Sequence, residues 1–203
     1  AQGGKIVLLA SSTNNGAGSV INTAGVNEAS QITVQGDTVQ LTGAFTASNP
    51  ENALQVNAKT IRQLEALTVA GSSQLVADEV RLGNVRNDFT GQVKLNVKGA
   101  AELQDINSLN ISGKAGSLLV KANSIVQTDA VEVQNATSLT ANTVTLNNTG
   151  NDFKGQVSLT TSIDAKLRDI NDLTITGDVN KATLEGDTLL INGLRAAGDL
   201  TLK

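Results

Sequence analysis

The chain has 203 residues, 15 basic and 19 acidic side chains for a net charge of −4, no Cys, no His, and three aromatics, Phe45, Phe89 and Phe153. The charges are mixed along the chain and almost no aromatic surface is available for base stacking, which argues against nucleic-acid binding. No apolar run approaches the ~20 residues of a membrane helix, the aromatic girdles of a membrane barrel are missing, and without Cys there is neither a disulfide framework nor thiol chemistry.

What remains is rich in Val, Ile, Leu and Thr, which favour strands, and in Asn, Gly and Asp, which favour turns. Pro50 is the only proline. In chain order the strand signals begin with Ile6-Val7-Leu8-Leu9, Val20-Ile21, Ile32/Val34 and Val39/Leu41. Residues 1–43 read as less regular turns of the architecture that follows. From residue 44 onward the chain repeats. Leu54, Val56, Ala58, Ile61 and Gln63 match Leu118, Val120, Ala122, Ile125 and Gln127, an offset of 64. Leu75, Ala77, Val80 and Leu82 match Leu139, Ala141, Val144 and Leu146 at the same offset. Asn87-Asp88-Phe89-Thr90-Gly91-Gln92-Val93 returns as Asn151-Asp152-Phe153-Lys154-Gly155-Gln156-Val157. Leu103-Gln104-Asp105-Ile106-Asn107 returns as Leu167-Arg168-Asp169-Ile170-Asn171, and Leu109-Asn110-Ile111-Ser112-Gly113 as Leu173-Thr174-Ile175-Thr176-Gly177. A constant offset over this span is the signature of a repeat architecture.

Within the unit, apolar pairs stand at i, i+2: Val93/Leu95, Leu109/Ile111, Leu118/Val120, Val144/Leu146. That is the strand period, with both side chains on one face. A single turn of such strands cannot bury its inward residues. Stacked turns can, because each strand pairs with its equivalents above and below at ~4.8 Å per step. The expected fold is therefore all-β: a right-handed parallel β-helix of about 21 residues per turn and three turns per 64-residue repeat, running as one continuous segment over 1–203. Nine or ten turns make a rod roughly 45 Å long at that spacing. The chain opens and closes in mid-pattern without a recognisable cap, so it is expected either to continue in a longer protein or to stack end to end with other copies.

The Asn-Asp-Phe-x-Gly-x-Val element, the Leu-Thr-Ile-Thr-Gly turns and Gly3-Gly4-Lys5-Ile6-Val7-Leu8-Leu9-Ala10 resemble the filamentous haemagglutinin family, the large exoproteins of bacterial two-partner secretion. The likeness covers 44–203 well and 1–43 loosely. It implies secretion through an outer-membrane transporter, an extracellular or cell-surface location, a β-helical shaft, and a part in adhesion to host cells, other bacteria or a polysaccharide surface, in aggregation or in biofilm. Two other functions compete with the adhesin shaft: the stick of a contact-dependent growth-inhibition exoprotein, and a carbohydrate-active β-helix enzyme.

An enzyme needs converging ionisable groups in a cleft. Asp105, Asp169 and Asp172 are the best carboxylates, and the first two recur at the unit spacing, which fits corner residues better than a unique catalytic pair. No catalytic, cofactor-binding or metal residue is therefore expected. Gly186-Asp187 and Gly198-Asp199 are isolated and read as turns rather than calcium loops. Gly16-Ala17-Gly18 lacks the Lys-Ser/Thr partner of a phosphate loop. Phe89 and Phe153 read as interior plugs. Asn110-Ile111-Ser112, Asn135-Ala136-Thr137 and Asn147-Asn148-Thr149 are glycosylation sequons of a kind that a chain this rich in Asn, Ser and Thr produces by chance.

Overall fold

The structure, a computed structural model, describes residues 5–10, 20–23, 26–47, 51 and 53–203. Every described strand belongs to one continuous, wholly parallel sheet that winds into a β-solenoid. Among the described residues no helix is long and apolar enough to cross a membrane.

One column of register partners shows the winding. Ile21, Val39, Ile61, Val80, Ala101, Leu118, Thr137, Val157, Ile175 and Ile191 are register partners in succession. The 170 residues from Ile21 to Ile191 are thus crossed in nine steps, about 19 residues each, for a rise of roughly 43 Å at the strand spacing. From Val39 to Ile175 every member of the column is at most 2% exposed. The expected inward residues Val93, Leu95, Leu109, Ile111, Leu118, Val120, Val144 and Leu146 are all 3% exposed or less.

The turns are of about the expected length but are not uniform. Register steps run from 26 (Lys5 to Gln31) down to 16 (Ser108 to Ser124, Leu173 to Leu189). Corners vary in length while the strands keep their pairing, because the hydrogen-bond ladder fixes only the strands. The repeat is accordingly not three whole turns. Leu54 pairs with Ser73, Ser73 with Val93 and Val93 with Ile111, three turns in 57 residues. The seven residues left in the unit carry the chain round to Leu118, which stacks on Ala101 in the neighbouring column. The same sum recurs from Leu118 through Thr137, Val157 and Ile175 to Ala182, which stacks on Ala165. Each 64-residue unit is therefore turned one face further about the axis than the last.

The strand 108–115 shows how the corners adapt. Its first half continues upward onto 124–127 and its second half onto 131–133, with a register shift between Ile111 and Gly113. Gly113 has φ +92°, and a Cβ there would collide with the Leu95 carbonyl oxygen. Gly177, one unit on, has φ +122° and the same relation to the Leu159 oxygen. The glycine that closes Leu-x-Ile-x-Gly therefore sits inside a strand, at the bulge where one face becomes two.

Candidate functional site

The polar residues that the repeat conserves converge on one corner. The loop after Leu82 closes through Asn87 N–H to the Asn84 carbonyl at 3.1 Å and Arg86 N–H to Asn84 Oδ1 at 2.9 Å. This turns the Asn87 side chain inward, where it is fully buried. Its Oδ1 accepts from Leu67 N–H at 2.9 Å and Gln63 Nε2 at 2.8 Å; its Nδ2 donates to Gln63 Oε1 at 2.9 Å and the Leu82 carbonyl at 3.0 Å. Asn151 repeats the arrangement with Val131 N–H, Gln127 and the Leu146 carbonyl. Both amides are fully satisfied, which is the condition for burying them at little cost.

Two residues beyond each asparagine the chain places a phenylalanine inward, Phe89 at 2% and Phe153 at 1% exposure, as expected of interior plugs. The turn above then clamps the corner. Asp105 Oδ2 accepts from Phe89 N–H at 2.7 Å and Oδ1 from Asn107 N–H at 2.6 Å. Asp169 does the same with Phe153 N–H and Asn171 N–H, both at 2.8 Å. The aspartates are 4% and 3% exposed. Burial pushes both carboxyls above the ordinary aspartate value, opposed by the two N–H donors, with the nearby charges of Asp88 or of Asp152 and Asp172 adding to the rise.

A raised carboxyl pKa invites an acid–base reading, but both oxygens here hold backbone N–H groups of two successive turns. Asp105 and Asp169 are corner clamps. Although they recur at the unit spacing, they stand three turns and one further face apart and do not share a column. Asp172 is exposed and touches the site only through its charge on Asp169.

Of the other residues singled out, Gly186 and Asp187 form a turn, with Asp187 N–H bonded to the Asn171 carbonyl, and Gly198 N–H bonds the Asn180 carbonyl. Gly16-Ala17-Gly18, Gly3-Gly4 and Pro50 lie outside the described residues. Among the described residues no group of His, Cys, Asp or Glu has the spacing of a metal site. Of the three sequons, Asn110 donates its amide to Thr128 Oγ1 and Asn135 donates to the Gly116 carbonyl, and their hydroxyl residues Ser112 and Thr137 are buried. Asn147 and Thr149 are both exposed.

The sequence did not disclose a shallow open depression on the outer face of the Ile61 column. It is lined by the small outward residues Ala100, Ser117, Ala136 and Ser138 together with Leu119, Glu79, Arg81 and Glu102. Glu79 is ion-paired with Arg81 at 2.6 Å. The stack of small outward residues Ala100, Ser117 and Ala136 on one column was its only signal in the sequence, legible once the register is known.

The family described as repeats of unknown function (DUF5649) matches residues 38–96 and 98–160. The two matched segments end 64 residues apart, at the same point of the structural unit. No curated protein and no solved structure matches the chain. With more than half of its length matched, in two consecutive copies that each contain one Asn-Asp-Phe corner, the chain belongs to the family of DUF5649 repeats.

Proposed function

We propose that this chain is a shaft segment of a secreted bacterial surface adhesin of filamentous haemagglutinin type, spacing a binding region away from the cell. The observation that carries the reading is the fate of the repeat's polar side chains. Gln63, Asn87 and Asp105, with Gln127, Asn151 and Asp169, are spent on tying one turn to the next. Polar groups that recur with the repeat and bond the backbone of the neighbouring turn stiffen the rod along its axis, which suits a spacer. The sequence resemblance supplies the cell-surface location, the outer-membrane transporter and the adhesive role against host, bacterial or polysaccharide surfaces.

The test is antibody labelling of cells that produce the native protein. Intact cells should label as strongly as permeabilised ones. Labelling that requires permeabilisation would sink the surface-shaft reading. Turnover of a polysaccharide by the purified chain, lost on Asp105→Asn or Asp169→Asn, would replace it with the enzyme reading.

A further inference from the structure

The turn that carries Phe89 has three strands, Glu79–Leu82, Asp88–Phe89 and Gln92–Val97. All three pair with the turn below. Only the outer two pair with the turn above, 80–82 with 101–103 and 92–96 with 110–114. Among the described residues no strand pairs with the upper edge of Asp88–Phe89. One unit on the break recurs. Asp152–Phe153 pairs below with Glu132 and Val133, and among the described residues no strand lies on it from above. The flanking ladders again continue, 144–146 onto 165–167 and 157–161 onto 175–179.

The chain above crosses the first break at Asp105-Ile106-Asn107 and opens a new column at Leu109, whose register partner is Ile125 in the turn above. Three contacts span the break. Ile106 N–H donates to the Asn87 carbonyl at 2.8 Å, Phe89 N–H donates to Asp105 Oδ2 at 2.7 Å, and Asn107 Nδ2 reaches Asp88 Oδ1 at 3.4 Å. Asp105 is also held from above, its own N–H donating to the Lys121 carbonyl at 2.9 Å. Ile170, Asp169 and Asn171 span the second break in the same way, with Asp169 N–H held by the Glu185 carbonyl. A local opening costs the bonds that it must break. On this face those bonds are a single backbone pair and one carboxylate, where the flanking faces carry continuous ladders.

We propose that each Asn-Asp-Phe corner is a joint of the rod, where one face parts while the other two hold, with Asp105 and Asp169 as the straps that limit the parting. Opening beside two intact ladders tilts the segment above instead of detaching it. Each unit is turned one face further than the last, so successive joints tilt in different directions. The joints follow from the ladders at 88–89 and 152–153 alone and stand apart from the adhesin reading, which concerns where the rod is displayed and what it carries.

The test is amide hydrogen exchange of the 203-residue chain, read residue by residue by NMR. In wild type the amides of Phe89, Ile106, Phe153 and Ile170 should exchange roughly tenfold or more faster than those of 101–103 and 110–114, whose exchange requires the flanking ladders to break. Asp105→Ala should speed Phe89 and Ile106 by a further factor of roughly ten and leave Phe153 and Ile170 unchanged. Asp169→Ala should do the reverse. Exchange of the four amides no faster than the flanking ladders overturns the proposal, and this comparison within the wild type decides the matter even where a variant fails to fold. A folded Asp105→Ala that speeds all amides alike overturns it too, because the aspartate would then support the whole rod and not one joint.

Discussion

Asn87 and Gln63, 24 residues apart, exchange two amide hydrogen bonds of 2.8 and 2.9 Å inside the solenoid, and Asn151 and Gln127 repeat the exchange at 2.7 and 2.9 Å. Because each asparagine also holds a backbone N–H and a carbonyl, its removal strands groups on both sides. Asn151→Ala leaves Val131 N–H and the Leu146 carbonyl without their side-chain partner in a closed interior. An unsatisfied buried group costs ~1–3 kcal/mol, so the variant should lose about 2–4 kcal/mol in urea unfolding. Combined with Gln127→Ala, the loss should be clearly less than additive, since both substitutions break the same bonds. Additive losses would show that the two amides act independently.

Core truncation should separate the middle of the rod from its end. Leu118 is 2% exposed between Ala101 and Thr137, and Leu118→Ala should cost ~2–5 kcal/mol through lost burial and a residual cavity. Leu202 is 49% exposed at the last turn, and the same truncation in a dilute sample should cost well under half as much. Equal losses would mean that the last turn is covered.

Much of this fold could be read from the sequence, because a strand period inside a long repeat leaves a solenoid as the only way to bury the inward residues. The phase of the turns could not. The offset of 64 divides almost evenly by 21, and the inward columns carry only the property of being apolar, so Leu118 looked like the continuation of Leu54 when it stacks on Ala101. The amide lock was half visible. Gln63 and Asn87 both recur at 64, but one sequence holds no signal that couples residues 24 apart. Gly113 and Gly177 are legible as repeated glycines but not as bulge positions, since a bulge within a strand needs the same left-handed backbone as a turn.

The corner aspartates set an acid dependence of definite sign. Burial raises the folded carboxyls of Asp105 and Asp169 above the value of 3.8 that an exposed aspartate has. The folded chain therefore takes up these protons at higher pH than the unfolded chain does. Their contribution is fully present below pH ~4 and is lost as pH rises through the folded values. The stability difference between wild type and the Asp105→Asn/Asp169→Asn double variant should thus shift in favour of wild type on acidification from pH 7 toward pH 4. Glu132 moves the other way, held low by its 2.6 Å contact with Lys114, but it is present in both proteins and cancels. A difference that is flat with pH, or that shifts against wild type, would show that the N–H donors outweigh burial at these corners.

The strictest test of the repeat is excision. Removing residues 88–151 joins Asn87 to Asp152, so that Asn-Asp-Phe and everything after it follow in the same order as before. The upper part of the rod is then turned back by one face, but each strand meets a strand that was its equivalent one unit away, and Phe153 takes the place of Phe89 above Val69. The shortened chain should keep its β-spectrum and unfold cooperatively within a few degrees of the parent, because each turn at the junction keeps two apolar neighbours. Removing 88–150 instead changes the spacing by a single residue. With a side-chain period of two, that slip sends Phe153, Val157 and Leu159 from the inside to the outside wherever the ladder holds its register. The chain must then either bulge at the junction or expose a run of branched side chains to water. The first excision should give a soluble, folded protein and the second a strongly destabilised or aggregated one, as read by circular dichroism and thermal melting. Equal stability of the two would mean that the corners absorb register freely and that the 64-residue phase is not what aligns the columns.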